Sequence, residues 1–133
     1  MTFQLIEHDA NLSVVALPDA VDLYTGAGVR AAGEALLDSG CRYLVLDTSA
    51  VTCLDSTGIT VFLAFWQRLA GTGGALVLAV PDAHLLRRLT LLGLDTVFSI
   101  TPTLEEAVVQ ARRLRAHPVG RPAAPPGTRT EIA

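Results

Sequence analysis

The sequence predicts one α/β domain, with a mixed, mostly parallel sheet of about five strands and four helices. Two apolar runs, residues 44–46 and 75–80, have no polar face, which is typical of central strands covered on both sides. The segments that follow them have helical periodicity and are long enough to connect parallel strands. At 133 residues the chain can form one hydrophobic core without a metal or disulfides.

The first elements should be a β-hairpin followed by a helix. Short apolar runs at residues 3–8 and 13–17 flank the turn residues 9–11, so we expect two antiparallel strands there. Pro18 ends the second strand because proline cannot donate to a ladder. The helix expected over about 25–38 contains three glycines, each of which costs about 1 kcal/mol relative to alanine. We therefore expect packing against other elements to hold it. The glycines are Gly26, Gly28 and Gly33.

The apolar helix expected over residues 56–70 is the core helix of the prediction. Its apolar residues recur at steps of three and four and form one broad face. These residues are Ile59, Phe62, Leu63, Trp66, Leu69 and Ala70. Val61 and Phe65 lie beside this face on a helical wheel, so we predict that both are exposed and bind a partner protein.

Three further elements complete the predicted fold. A helix is expected over about 83–92, followed by a short strand over 97–100. The last helix runs over about 103–114. It begins with a capping box, in which the Thr103 hydroxyl and the Glu106 carboxylate satisfy free backbone amides.

Charge and proline content distinguish the end of the chain from the rest. Residues 1–111 carry five arginines and twelve acids, whereas residues 112–133 carry five arginines and one acid. The acidic body disfavours a nucleic-acid surface, which needs clustered cations. Residues 117–133 hold four of the seven prolines and almost no bulky apolar side chain. We therefore predict a domain over 1–116 and a disordered tail over 117–133.

Several classes of function are not supported. No apolar run reaches the roughly 18 to 20 residues of a membrane span, so we expect a cytoplasmic protein that has no membrane span. Cys41 and Cys53 form no CxxC pair and have no histidine at metal-ligand spacing, so we expect no metal and no cofactor. The chain has neither a nucleophile elbow nor a patterned set of histidines, so we expect no enzyme.

Two motifs dominate the middle of the chain. They are Asp47-Thr48-Ser49-Ala50-Val51 and Leu54-Asp55-Ser56-Thr57-Gly58-Ile59. Together they resemble the DLSGV…DSSGL signature of STAS domains, the fold of bacterial anti-sigma factor antagonists. Asp22 stands where that family has its GELD loop, and Leu92-Gly93-Leu94 is similar to the family's GL after the third helix. The resemblance extends over residues 12–109.

The resemblance implies a phosphorylation site. In STAS antagonists the first serine after this aspartate accepts phosphate from a partner serine kinase, which assigns Ser56 as the phosphoacceptor. Asp22, Asp55, Thr57 and Gly58 would surround it. The residues by themselves leave a second interpretation open, because Ser and Asp at a helix start commonly serve only as caps. The chain departs from the family at Asp19, which replaces the glycine of the GELD loop and puts the shape of that loop in question.

The function that the resemblance implies is that of an anti-sigma factor antagonist. Unphosphorylated protein would sequester an anti-sigma factor serine kinase and so release a sigma factor. Phosphorylation of Ser56 would end this binding, and a serine phosphatase would restore it through a transient encounter. The alternative is a STAS interaction module of a lipid or anion transport complex, or of a stress-sensing complex, in which Ser56 is not phosphorylated.

Overall fold

The computed structural model describes residues 3–117, which form one domain around a mixed sheet of five strands. The first two strands are antiparallel and the other neighbours are parallel, so the predicted mixed, mostly parallel sheet is confirmed. In spatial order the strands are β1 (Gln4–Asp9), β2 (Leu12–Ala16), β4 (Tyr43–Asp47), β6 (Ala75–Ala79) and β7 (Ser99–Thr101). The last strand was predicted to begin at residue 97, but it begins two residues later, after Val97 and Phe98.

Four α-helices cover the sheet, as predicted. They are α1 (Gly26–Asp38), α2 (Ser56–Gly71), α3 (Ala83–Leu91) and α4 (Leu104–Ala116). The first three pack on one face, against side chains such as Leu44 and Leu46, and α4 packs on the other, against Val45 and its neighbours. All three of these residues are fully buried, so β4 is the doubly covered central strand that its apolar run indicated.

The last helix is joined to the first strand by charged groups. The Thr103 hydroxyl accepts the Glu106 amide at 3.1 Å, as predicted, but the Glu106 carboxylate accepts the Thr103 hydroxyl at 3.2 Å where the prediction had a backbone amide. Near its end, Arg112 pairs with Glu7 at 2.8 Å and Arg115 pairs with Asp9 at 3.1 Å. Because these pairs are largely exposed, each contributes at most about 1 kcal/mol to stability.

Two strands of two residues each were not predicted. They are β3 (Ala20–Val21) and β5 (Cys53–Leu54), which pair in parallel beside the main sheet. Each follows the carboxyl end of a central strand, β3 after β2 and β5 after β4. Their pairing brings the loop before α1 and the loop before α2 together.

Helices α1 and α2 cross closely because α1 carries glycines where they meet. A Cβ on Gly33 would lie 2.2 Å from Cζ of Phe65, and a Cβ on Gly26 would lie 2.8 Å from Cγ2 of Thr57. The predicted dependence of α1 on packing is therefore explained at these two positions. Its glycines weaken the isolated helix but allow it to approach α2.

The prediction that Val61 and Phe65 are exposed was wrong. Val61 is 3% exposed and Phe65 is fully buried. The helical-wheel argument assumed that α2 packs against one surface, whereas α2 contacts both the sheet and α1. The predicted core residues Ile59, Leu63 and Trp66 are only partly buried.

The ends of the chain limit two other predictions. Residues 118–133, which include nearly all of the predicted tail, lie outside the described residues. Between residues 3 and 117, no helix has both the length and the apolar character needed to cross a membrane.

Candidate functional site

Ser56 lies at the carboxyl edge of the sheet, where the paired strands β3 and β5 carry the loops before α1 and α2. It is the first residue of α2 and is exposed to solvent. This edge is where α/β sheets commonly meet ligands and partners. The structure therefore places Ser56 where the motif indicated.

Asp55, and not Ser56, caps the start of α2. One carboxylate oxygen, Oδ1 of Asp55, accepts the Thr57 amide at 2.9 Å and the Gly58 amide at 3.2 Å. The Ser56 hydroxyl makes no hydrogen bond to any other group in residues 3–117, and only its backbone carbonyl is engaged, by the Thr60 hydroxyl. Because the cap is supplied by its neighbour, the Ser56 hydroxyl is free for another role.

The second oxygen of Asp55 reaches across to the other loop. Oδ2 accepts the backbone amide of Leu23 at 3.2 Å. One carboxylate therefore holds both the first turn of α2 and the loop before α1. Loss of this group would release two segments at once.

Asp22 organises the loop before α1 in a similar way. Its Oδ1 accepts the amides of Tyr24 at 2.9 Å and Thr25 at 3.1 Å, and its Oδ2 faces the Cys53 thiol at 3.7 Å. The hydrogen bond from the Tyr24 amide is the largest cause that lowers the pKa of Asp22, and the Thr25 and Cys53 bonds act in the same direction. Asp22 is therefore ionised at neutral pH.

The Cys53 thiol has the opposite tendency. Desolvation is the largest cause that raises the pKa of this thiol, and the negative charge of Asp22 raises it further. The thiol therefore stays protonated at neutral pH and donates to Asp22. No group of three or more His, Cys, Asp or Glu side chains suited to a metal ion is found in the described part of the chain.

Gly58 lets the first turn of α2 touch β3. A Cβ on Gly58 would lie 2.3 Å from the Val21 carbonyl oxygen and 2.5 Å from Cδ1 of Leu54. No larger residue fits there without moving the helix away from β3. The glycine of the motif thus sets the distance between Ser56 and the Asp22 loop.

Thr57 differs from Ser56 although both carry a hydroxyl. Thr57 is half-buried, and its methyl group faces Gly26 of α1. Its amide is the one that Asp55 caps. Thr57 is therefore a packing residue of the α1–α2 contact, and Ser56 is the more accessible hydroxyl.

The substitution of Asp19 for the glycine of the family loop does not disrupt that loop. The Asp19 carbonyl accepts the amides of Thr52 at 2.8 Å and Cys53 at 3.1 Å, which extends the β3–β5 pairing. Asp19 is not among the described non-glycine residues with positive φ, so the position does not need a glycine. Its side chain is exposed and adds negative charge at this edge.

Sequence reasoning missed two exposed residues of the same loop. Leu23 is 71% exposed and Tyr24 is 90% exposed. Leu23 also lines a groove of about 350 Å³ between the first turns of α1 and α2. We call Leu23, Tyr24 and this groove the docking surface; the groove is lined by Leu23, Gly26, Ala27, Arg30, Thr57, Thr60 and Val61. The signal that could have found it was a bulky Leu-Tyr pair in a loop beside the motif.

Comparisons with known proteins identify the family and the fold. A family model described as STAS domain matches residues 4–107. The anti-sigma-F factor antagonist RsfB of Mycobacterium tuberculosis is 28% identical over 113 residues, which span 84% of this chain and 90% of that protein. The crystal structure of an anti-sigma factor antagonist from Mycobacterium paratuberculosis matches with a TM-score of 0.70 and 31% identity, covering 84% of this chain and 93% of that one.

A third relative has been solved in two forms. The anti-sigma factor antagonist SpoIIAA in its unphosphorylated form matches with a TM-score of 0.71 and 21% identity, covering 84% of this chain and 97% of that one. The phosphorylated form of Bacillus SpoIIAA matches with a TM-score of 0.65 and 20% identity, covering 82% and 98%. At these identities the likeness shows a shared fold.

Proposed function

Because the chain belongs to the STAS domain family, we propose that it is an anti-sigma factor antagonist whose binding is controlled by phosphorylation of Ser56. Unphosphorylated protein binds an anti-sigma factor serine kinase in the cytoplasm and so releases a sigma factor. A serine phosphatase reverses the modification. The chain itself supplies no catalysis in this scheme; it is the substrate and the binding partner.

One observation carries the assignment of Ser56: its hydroxyl is exposed and free of hydrogen bonds to residues 3–117, at the start of a helix that Asp55 already caps. A kinase could therefore phosphorylate this hydroxyl without breaking a hydrogen bond of the domain. The SpoIIAA structures support the proposal, since that protein has this fold and has been solved in unphosphorylated and phosphorylated forms.

The covalent step is a transfer from ATP. The Ser56 Oγ attacks the γ-phosphorus, the new Oγ–P bond forms, and the bond to the β-phosphate oxygen breaks, so that ADP leaves. The hydroxyl proton is released to a base of the kinase. Ser56 thereby gains a charge of about −1.5 to −2 at neutral pH.

The fold should tolerate this charge. The phosphate would lie at the N-terminus of α2, where the helix dipole favours an anion by up to about 2 kcal/mol. Thr57 is half-buried and its methyl group packs against Gly26, so a phosphate on the Thr57 hydroxyl would be harder to accommodate than one on the exposed Ser56. Ser56 is thus the site whose modification leaves the domain folded.

The partner should not tolerate it. The docking surface presents Leu23 and Tyr24 beside Ser56, and a partner that covers them must also desolvate whatever Ser56 carries. Desolvating a neutral hydroxyl costs little free energy, whereas burying an unpaired dianion costs several kcal/mol. Asp22 and Asp55 add like charge nearby. Phosphorylation therefore ends binding through the interface and not through unfolding.

The experiment uses the full chain and purified anti-sigma factor kinases of the source organism. Each kinase is incubated with ATP and the wild type, Ser56→Ala, or Thr57→Val, and the modified residue is identified by mass spectrometry. Thr57→Val is the matched control because it removes a hydroxyl and keeps a branched side chain against Gly26. We expect one kinase to modify the wild type and Thr57→Val, but not Ser56→Ala.

Binding is measured on the same proteins by calorimetry. Unphosphorylated wild type and Ser56→Ala should bind this kinase, and the phosphorylated wild type should bind at least tenfold more weakly. Phosphate on Ser56→Ala, or undiminished binding by the phosphorylated wild type, would overturn the mechanism. If no anti-sigma factor kinase binds or modifies the chain, the alternative of a transport or stress-sensing module is favoured.

A further inference from the structure

Arg88 of α3 reaches the loop before the phosphorylation site. Its Nη2 donates to the Leu54 carbonyl oxygen at 2.7 Å, across a separation of 34 residues in the chain. Leu54 stands two residues before Ser56, and Arg88 lines a groove of about 330 Å³ between this loop and α3. This arginine thus joins α3 to the segment that carries the site.

The positive charge of Arg88 has no carboxylate partner in residues 3–117. Its only hydrogen bond there is to a backbone carbonyl. By contrast, four other arginines of these residues form ion pairs with Asp or Glu side chains: Arg30, Arg68, Arg112 and Arg115. A guanidinium with five N–H donors is therefore held at this loop with most of its donors uncommitted.

The charge of Arg88 already acts on this loop. Desolvation and the charge of Asp22 raise the pKa of Cys53, and the charge of Arg88 opposes that rise. Cys53 lies three residues before Ser56. The guanidinium is thus close enough to influence titration beside the site.

The short stretch of chain between Leu54 and Ser56 would allow Arg88 to reach a phosphate on Ser56. Two residues of extended chain span at most about 7 Å, so the Ser56 Cα lies no farther than this from the Leu54 Cα. A phosphoserine side chain and a reoriented arginine side chain can together close such a gap. The exchange is favourable because a charge-assisted, bidentate guanidinium–phosphate contact is stronger than a bond to a neutral carbonyl.

We propose that Arg88 positions phosphorylated Ser56. Its guanidinium gives up the hydrogen bond to the Leu54 carbonyl and binds the phosphate from the α3 side. This inference rests on the proposed phosphorylation of Ser56. The other charged or titratable groups near Ser56 or Arg88 are Asp19, Asp22, Cys53 and Asp55 at the two loops and Asp82 and His84 at the start of α3. Arg88 would offset the repulsion from the acids and hold the modified side chain in one orientation.

The test needs no kinase. Phosphoserine is incorporated at position 56 of the full chain during translation, and the second pKa of its phosphate is measured by ³¹P NMR. The phosphate is compared in four proteins: the otherwise unchanged chain, Arg88→Gln, Arg88→Lys, and Arg87→Gln. Arg87 is the matched control because it is the adjacent, exposed arginine of the same helix.

We expect Arg88→Gln to raise the phosphate pKa by about 0.5, a value reduced by solvent exposure from the 1 to 3 that a close opposite charge produces. Arg88→Lys should restore most of the lowering because it retains the charge. Arg87→Gln should change the pKa by much less. A far-ultraviolet circular dichroism spectrum checks that each variant is folded.

Two results would overturn the inference: a phosphate pKa that Arg88→Gln leaves unchanged, or an equal rise in Arg87→Gln. Should Arg88→Gln fail to fold, Arg88→Met replaces it, because methionine keeps an unbranched side chain and removes the charge. The same two results then decide. Because the phosphate is installed without a kinase, failure here is distinct from failure of kinase transfer to wild-type Ser56.

Discussion

Gly58 is the position at which one methyl group should have a large effect. The Cβ of Gly58→Ala would lie 2.3 Å from the Val21 carbonyl oxygen, a backbone atom that cannot rotate away. Overpacking of this kind costs typically 1 to 3 kcal/mol, and we take about 3 kcal/mol because backbone must move. Alanine returns about 1 kcal/mol in helix propensity. The net loss of unfolding free energy is then about 2 kcal/mol.

Gly71, the last residue of the same helix, provides the control. A Cβ there meets no atom within 4 Å, so Gly71→Ala should be neutral or stabilising by up to about 1 kcal/mol. The free energy of unfolding is measured by urea titration of both variants, and thermal melting should show a decrease of roughly 8 °C for Gly58→Ala. If Gly58→Ala were as stable as Gly71→Ala, close contact between α2 and β3 would not be what selects glycine at position 58.

Two further predictions separate packing from binding and from charge. Phe65→Ala should lose about 3 to 5 kcal/mol of stability with unchanged partner affinity per folded molecule, whereas Tyr24→Ala should weaken partner binding by more than about 1 kcal/mol with little change in stability. Urea titration and calorimetry measure the two effects, and the reverse pattern would make Phe65, and not Tyr24, the residue that contacts the partner. For Asp22, whose pKa is lowered in the folded state, the stabilisation is present above the ordinary aspartate pKa of 3.8 and is lost as the pH falls through the pKa of the folded state. The difference in urea midpoint between the wild type and Asp22→Asn should therefore shrink below about pH 4, and a constant difference would contradict this role.

Local chemistry made parts of the site predictable. An apolar strand that ends in a turn, then Asp55 and Ser56, then an apolar helix, specifies where the loop lies on the sheet. Sequence reasoning did not decide which of the two residues forms the cap, because either side chain can accept the free amides. The structure assigns that role to Asp55, whose second oxygen also holds the amide of Leu23.

Long-range contacts were not predictable in the same way. A helical wheel shows that the apolar arc of α2 is wide, but not that α1 covers the flank bearing Val61 and Phe65. From the sequence the glycines of α1 could only be counted as a loss of helix propensity. The close packing that Gly33 allows depends on the ring of Phe65, which lies 32 residues away in the chain. Strands of two residues, such as β3 and β5, have no periodicity to detect, and the docking surface depends on their pairing.

The position of α4 determines when the domain can finish folding during translation. Within the described residues, one face of the sheet, with Leu12, Val14, Val45 and Val77 buried on it, is covered by Ala107, Ala111 and their neighbours on α4. A nascent chain that has not yet emerged beyond about residue 116 keeps this apolar face open, although the strands and the Ser56 loop are already outside the ribosome. Such an intermediate is prone to aggregation. The domain should therefore complete its folding only after α4 has emerged from the ribosome and docks on this face of the sheet.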